Sequence, residues 1–259
     1  MTTTRSLWLL RGYGIVVFAF LYLPIAMLML LSFNDSVGIT LPWGGFTLRW
    51  YRALAENQSL FVSLKNSVVL GLTTAVLATT IGCLAAFAFR SQFRGQVACI
   101  RLLLLPFVIP GLTIGVALLI LFHAIGLRPG LMTTTLIAHV GFALPYVFVL
   151  ISTRLHRFDA ALEEAAMDLG ADELTTFWKI TFPLIRPGVI GSALFAFTLS
   201  FDEFIRTLFT IGNDNTLPIQ IWSMLGSMVS PELNAAATLI VVFSLGLVVL
   251  GELLRGSDR

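Results

Sequence analysis

The sequence predicts an all-α polytopic membrane protein with six transmembrane helices, and two observations carry that prediction. Of its 259 residues, 57% are hydrophobic and 12% are charged, about half the charged share of an average soluble domain. Five stretches also carry no charge, namely 12–33, 66–89, 102–122, 131–153 and 233–251. Each has about the 20 apolar residues a helix needs to cross the hydrocarbon core. A mean hydropathy of +0.92 excludes a disordered chain, which needs low hydrophobicity and high net charge. The net charge of +2 implies no basic face for nucleic acid. Cys83 and Cys99 form no disulfide framework and have no metal-ligand spacing.

The first span follows Arg5 and Arg11, as a signal peptide would. Its apolar run exceeds a signal-peptide core and no small-residue cleavage site follows, so it reads as a retained helix. Behind it, Trp43, Trp50 and Tyr51 match the aromatic belt at a membrane interface, and a short interfacial helix is expected there. Residues 1–60 are read as the first helix with this outer segment. Residues 61–255 are read as a core of five helices carrying a cytoplasmic loop at 154–186.

The second span places Gly71, Ala75, Ala78, Gly82, Ala85 and Ala86 where helices can approach closely. Prolines fall in the first, third and fourth spans (Pro24, Pro106, Pro110 and Pro145), and the backbone groups they free need partners within the protein. His123 and His139 are single histidines in apolar spans, read as packing or hydrogen-bonded residues. Tyr146, beside Pro145, and Trp222, after the fifth span, are candidates to stack on a cation. Both also suit an aromatic core or interface.

The fifth span runs from Pro187 to about Asn213 and is interrupted by Asp202, Glu203 and Arg206. Asp202 lies about 22 Å along a helix from Pro187 at 1.5 Å per residue, in the outer half of the bilayer. Charges at that depth normally face the bundle interior or a water-filled cavity. One reading makes Asp202 and Glu203 the lining of an outer gate that attracts a cation. The other has Arg206, at i+4 and i+3, neutralise them on the same helix.

Lys and Arg in the short loops set the orientation. With a cytoplasmic N-terminus, Arg5, Arg11, Arg90, Arg94, Arg101, Arg154, Arg157, Lys179, Arg186, Arg255 and Arg259 lie inside. Arg49, Arg52, Lys65, Arg128 and Arg206 lie outside. Both termini are therefore expected in the cytoplasm.

The loop from Arg154 to Arg186 is the most polar part of the chain. Phe158, Leu162, Ala165, Ala166 and Leu169 recur at helical spacing, with Glu163, Glu164 and Asp168 off that stripe. Gly170 suits a helix C-terminus. Asp172 can cap a second short helix reaching about Ile180, and Pro183 and Pro187 are expected to close the loop. Such a pair can dock into a partner, or lie on the membrane or the bundle. Its acidic residues disfavour the membrane surface.

Glu164-Ala165-Ala166, three residues, Gly170, nine residues, Ile180, one residue and Phe182-Pro183 resembles the EAA loop of ABC importer permeases. The pattern of that family is Glu-Ala-Ala-x3-Gly-x9-Ile-x-Leu-Pro; Phe182 replaces its leucine. Arg49-Trp50-Tyr51, Asn66-Ser67 and Ser200-Phe201-Asp202-Glu203-Phe204 look most like the spermidine/putrescine class. The resemblance implies the type I importer permease fold in a bacterial inner membrane. It also implies that Glu164, Ala165, Ala166, Gly170, Ile180 and Pro183 couple to a cytoplasmic ATPase.

The implied partners are a homologous permease, two ATPase subunits, an external substrate-binding protein and the bilayer. The substrate pathway would hold Asp202, Glu203, Tyr146 and Trp222. The chain has no Gly-x4-Gly-Lys-Ser/Thr phosphate loop. It is therefore expected to be a transport subunit that binds no cofactor, with ATP and Mg on the ATPases. Permeases for amino-acid-like, phosphonate or ferric-ion substrates share much of this pattern. A stand-alone secondary carrier would be expected to show an internal repeat, and none is visible.

Overall fold

In a computed structural model, which describes residues 2–36, 43–156, 159–227 and 231–256, helices occupy most of the described chain and no strand is present among those residues. Two compact units result, one of residues 1–60 with 221–245 and one of residues 61–220 with 246–259.

In the first unit, α1 (Thr2–Leu31) passes through Pro24 unbroken. Its large apolar side chains from Trp8 through Leu23 are exposed, apart from half-buried Val17, as suits a helix surrounded by lipid. Beyond its end, Asn34 bridges to Phe46. The expected interfacial helix is α2 (Arg49–Glu56), and its aromatic residues do more than meet an interface. The Trp50 indole N–H donates to the Asn34 carbonyl at 2.9 Å, and the Tyr51 hydroxyl lies 2.7 Å from Ser32 Oγ. Arg49 pairs with Asp35 at 2.7 Å. The segment is thus tied to the end of α1.

The second unit is built on α3 (Gln58–Ala88), α4 (Gln96–Leu104), α5 (Gly111–Ala124) and α6 (Leu136–His156), the last entered through a π turn at Leu131–Thr135. The small-residue stripe of α3 is a packing face. A Cβ on Gly71 would sit 2.9 Å from the Phe197 ring, and one on Gly82 would sit 2.6 Å from Val147 Cγ1. Ala75, Ala78 and Ala86 are buried beside them.

Two expected spans are not single helices. The third breaks between a 3₁₀ turn at Leu105–Phe107 and α5, with a bend of 106°. Pro106 and Pro110 lack the N–H groups that would continue the ladder. The fifth begins earlier than expected and ends sooner. From α8 (Glu173–Thr176), a π turn at Phe177–Thr181 leads straight into α9 (Phe182–Phe201), so Pro183 and Pro187 do not close the loop. Phe182 N–H bonds back to the Phe177 carbonyl, a shift of the ladder made just before Pro183, which cannot donate. The helix then stops at Phe201, and α10 (Ile205–Thr210) starts after a three-residue break.

Among the described residues, four helices are long and apolar enough to cross a bilayer unbroken, and the bent pair, taken as one span, makes a fifth. The sixth expected span falls within α12 (Pro231–Gly256), which follows α11 (Leu217–Ser227). Its apolar part among the described residues, Pro231–Gly246, is shorter than a full span.

Candidate functional site

Two places concentrate polar side chains in the second unit. The first is α7 (Ala161–Asp168), the helix of the EAA-like segment. Gly170 ends it at φ +90°. Gly170 N–H bonds to the Met167 carbonyl at 2.9 Å and Ala171 N–H to the Ala166 carbonyl at 3.0 Å, the paired closure of a Schellman motif. Asp172 caps α8 by accepting from Thr175 N–H at 2.9 Å. Hydrogen bonding by the Thr175 side chain, and then by its backbone N–H, holds the carboxyl below the usual aspartate range.

The apolar stripe of α7 faces outward. Leu162 is 49% and Leu169 90% exposed, and Glu164, Ala165 and Gly170 are exposed with them. Phe158 lies outside the described residues. The inward side belongs to Ala166, a member of the stripe, and to Glu163, which lay off it. Glu163 Oε2 lies 2.6 Å from Arg90 Nη1, just past the end of α3. Its Oε1 accepts from Thr181 Oγ1 at 2.5 Å, in the π turn before α9. Ile180 is half-buried within that turn and Pro183 is exposed. The helix is therefore braced on one side and open on the other.

The second place is the break between α9 and α10. Arg206 donates to Glu203 Oε2 from Nη1 at 2.7 Å and to Oε1 from its backbone N–H at 3.0 Å. Its guanidinium lies 3.8 Å from the centre of the Phe142 ring, and the residue is only 6% exposed. Asp202 is exposed and makes no ion pair among the described residues. The two adjacent carboxylates thus differ: Glu203 is neutralised and Asp202 stands open.

Tyr146 is half-buried in an aromatic group, its ring centre 4.4 Å from Phe107, 5.5 Å from Phe142 and 5.7 Å from Phe195. Phe142 therefore links Tyr146 to Arg206. Trp222 is 60% exposed on α11, in the first unit.

Beneath the break, buried His139 uses both ring nitrogens, with Nδ1 2.7 Å from Ser200 Oγ and Nε2 2.8 Å from Thr207 Oγ1. Ser200 Oγ donates to Thr74 Oγ1 at 3.3 Å, and Thr207 Oγ1 donates to the Glu203 carbonyl at 2.6 Å. The chain ties α3, α6, α9 and α10 together through polar groups, which a helix ending inside a bilayer requires. Asn66 and Ser67 fasten the segment after α10. The Asn66 amide donates to the Asn215 carbonyl at 2.9 Å, and Ser67 Oγ accepts from Leu217 N–H at 2.8 Å.

Residues 78–256, which hold both places, match the model of the binding-protein-dependent transport system inner membrane component family. The chain belongs to this family. The permease is 41% identical over 255 residues to the spermidine/putrescine transport system permease protein PotC of Haemophilus influenzae, covering 97% of this chain and 98% of that one. It is 40% identical over 232 residues to the putrescine transport system permease protein PotI of Escherichia coli, covering 86% and 82%. Among solved structures, a bacterial ABC transporter involved in the import of the acidic polysaccharide alginate aligns with a TM-score of 0.72, covering 99% of the permease and 98% of that chain. At 15% identity that likeness establishes the fold, that of ABC importer permeases. The permease is thus a multi-pass inner-membrane component of a binding-protein-dependent transport system, and its relatives are transport subunits rather than enzymes.

Sequence reasoning missed Glu163, Phe142 and the bonds of His139. For Glu163 the only signal was a carboxylate at the edge of the EAA segment. For Phe142 it was the four-residue spacing to Tyr146, which puts both rings on one helix face.

Proposed function

We propose that this chain is the permease subunit of an ATP-driven importer of polyamines (spermidine, putrescine or a related small cation). The observation that carries the substrate is the likeness to spermidine/putrescine permeases along nearly the whole chain. The exposed, unpaired carboxylate of Asp202 supports it, since an open carboxylate at a helix break attracts an ammonium group. Asp202, Glu203 and Tyr146 line the pathway, with both termini cytoplasmic and α12 as the sixth span.

The chain pairs with a homologous but different permease, two ATPase subunits and an external substrate-binding protein. ATP and Mg bind on the ATPases, consistent with the missing phosphate loop. The outward face of α7, with Glu164 and Ala165, and Gly170 just beyond its end enter a groove of the ATPase, with Ala166, Ile180 and Pro183 steadying the loop. Closure of the ATPases moves α7, and the Glu163 brace carries that motion to α3 and to the turn before α9. Alternating openings of the bundle then pass the substrate inward.

The test is ATP-dependent uptake of radiolabelled spermidine and putrescine into liposomes holding the chain with its homologous permease, ATPase and binding protein. Asp202→Asn is expected to lower uptake several-fold with assembly intact. Uptake of some other solute and of neither polyamine would defeat the substrate assignment.

A further inference from the structure

The Glu203 carboxylate and the face of Phe142 make a cation seat, and the chain fills it with its own arginine. Several features of the seat are poorly matched to a guanidinium. The Arg206 Nε–H is buried and finds no partner among the described residues, although a guanidinium carries five donors in a fixed fork. The start of α5 also abuts the charge: a Cβ on Gly111 would sit 3.4 Å from Arg206 Nη2. A helix N-terminus carries partial positive charge and so repels the group beside it. What attracts is one carboxylate, 2.7 Å away, and one ring face, 3.8 Å away. An aromatic face and a carboxylate together receive a compact ammonium as well as they receive arginine.

From this arrangement we infer that Glu203 and Phe142 form a binding site for an alkylammonium group, and that Arg206 is a tethered competitor that occupies it between transport events. The inference rests on the polyamine reading only for the identity of the natural occupant. Exposed Asp202, one residue before Glu203, is the first carboxylate an ammonium meets. The Phe142–Tyr146–Phe107 rings extend the aromatic surface away from the seat. The site lies where two broken spans meet, so a shift of α5 against α10 changes the hold on the arginine. Substrate ammonium and Arg206 then exchange on the same carboxylate, and the seat is never left as a bare buried charge.

The test uses the assembled transporter in nanodiscs with Arg206→Ala, which vacates the seat. Guanidinium and methylammonium at millimolar concentration are expected to raise the melting temperature of this variant saturably by several degrees. Neutral urea is expected not to, and the Arg206→Ala, Glu203→Gln double variant should lose the effect. Equal stabilisation of the double variant, or none in the single one, overturns the inference. Arg206→Lys places an ammonium in the same seat and is expected to assemble and melt like the parent. If neither Arg206→Ala nor Arg206→Lys assembles, the guanidinium is a structural requirement and the inference also fails. Putrescine and spermidine are run in parallel. If guanidinium and methylammonium stabilise Arg206→Ala and the polyamines do not, the seat stands and the polyamine assignment falls.

Discussion

Glu163 grips Arg90 at 2.6 Å across 73 positions of sequence, and with its bond to Thr181 that pair ties the exposed α7 helix to the membrane-embedded bundle. Its two side chains keep 33% and 16% of their surface. Loss of one partner of a charged hydrogen bond costs roughly 1–3 kcal/mol, brought down to about 1 kcal/mol here by partial exposure. Glu163→Gln should therefore leave folding intact while weakening the brace. Substrate-stimulated ATPase activity in the assembled transporter is expected to fall several-fold, and Thr181→Val to give a smaller loss. Unchanged stimulation in both variants would show that motion reaches the bundle by another route.

Gly170 adopts φ +90° in open space, so substitution there acts through backbone strain and not through collision. A left-handed conformation costs a side chain roughly 1–2 kcal/mol. Gly170→Ala is expected to loosen the end of α7, and Gly170→Asn, which tolerates that region better, to do so less. Co-purification of the ATPase subunit measures it, with retention in the order glycine, asparagine, alanine.

His139→Leu should lower the melting temperature of the complex. It takes a partner from Ser200 and from Thr207, each a buried hydroxyl, at about 1–3 kcal/mol for a group left unsatisfied. Ser200 and Thr207 keep their other bonds to Thr74 and the Glu203 carbonyl, which places the cost at the low end. His139→Gln retains one amide donor and one acceptor and is expected to recover part of the loss.

The Asp172 cap sets a pH dependence of known sign. Its carboxyl is held below the usual aspartate range by Thr175. The ionised cap therefore stabilises the start of α8 at all pH values above about 4, the unfolded-chain aspartate value. That stabilisation disappears as pH falls through the lower folded value. Amide exchange at Thr175 should show protection that is constant from neutral pH down to about pH 5 and falls below about pH 4. Asp172→Asn should keep the cap and abolish the acid step, whereas a step that persists would assign it to another carboxyl.

What the sequence made legible was local. The Gly170 terminus and the Asp172 cap each involve residues within a few positions of one another, and each takes its expected place in the chain. Pro110 announced a break, but no residue nearby encodes a bend of 106°, because the angle depends on what α5 packs against. Glu163 was misplaced for the same reason, since Arg90 is remote from it in sequence. The apolar stripe of α7 pointed outward, not onto the bundle, because the brace of Glu163 turns the opposite face inward. His139 reads from sequence as a packing or hydrogen-bonded residue, with no partner to name. Its hydroxyl partners lie 61 and 68 positions away, beyond the reach of any periodicity.

The bend before α5 also constrains the order in which this protein is made. Arg206 emerges from the ribosome 95 residues after Gly111, roughly 5–20 s later at ordinary synthesis rates. Until then the guanidinium that abuts Gly111 does not exist, and α10 is not yet made. What the insertion machinery meets is a nearly uniform apolar segment from Leu102 to Phe122. The segment is thus threaded as an apolar stretch broken only by its prolines, and the packing of α5 against α10 is added when the second half of the chain arrives.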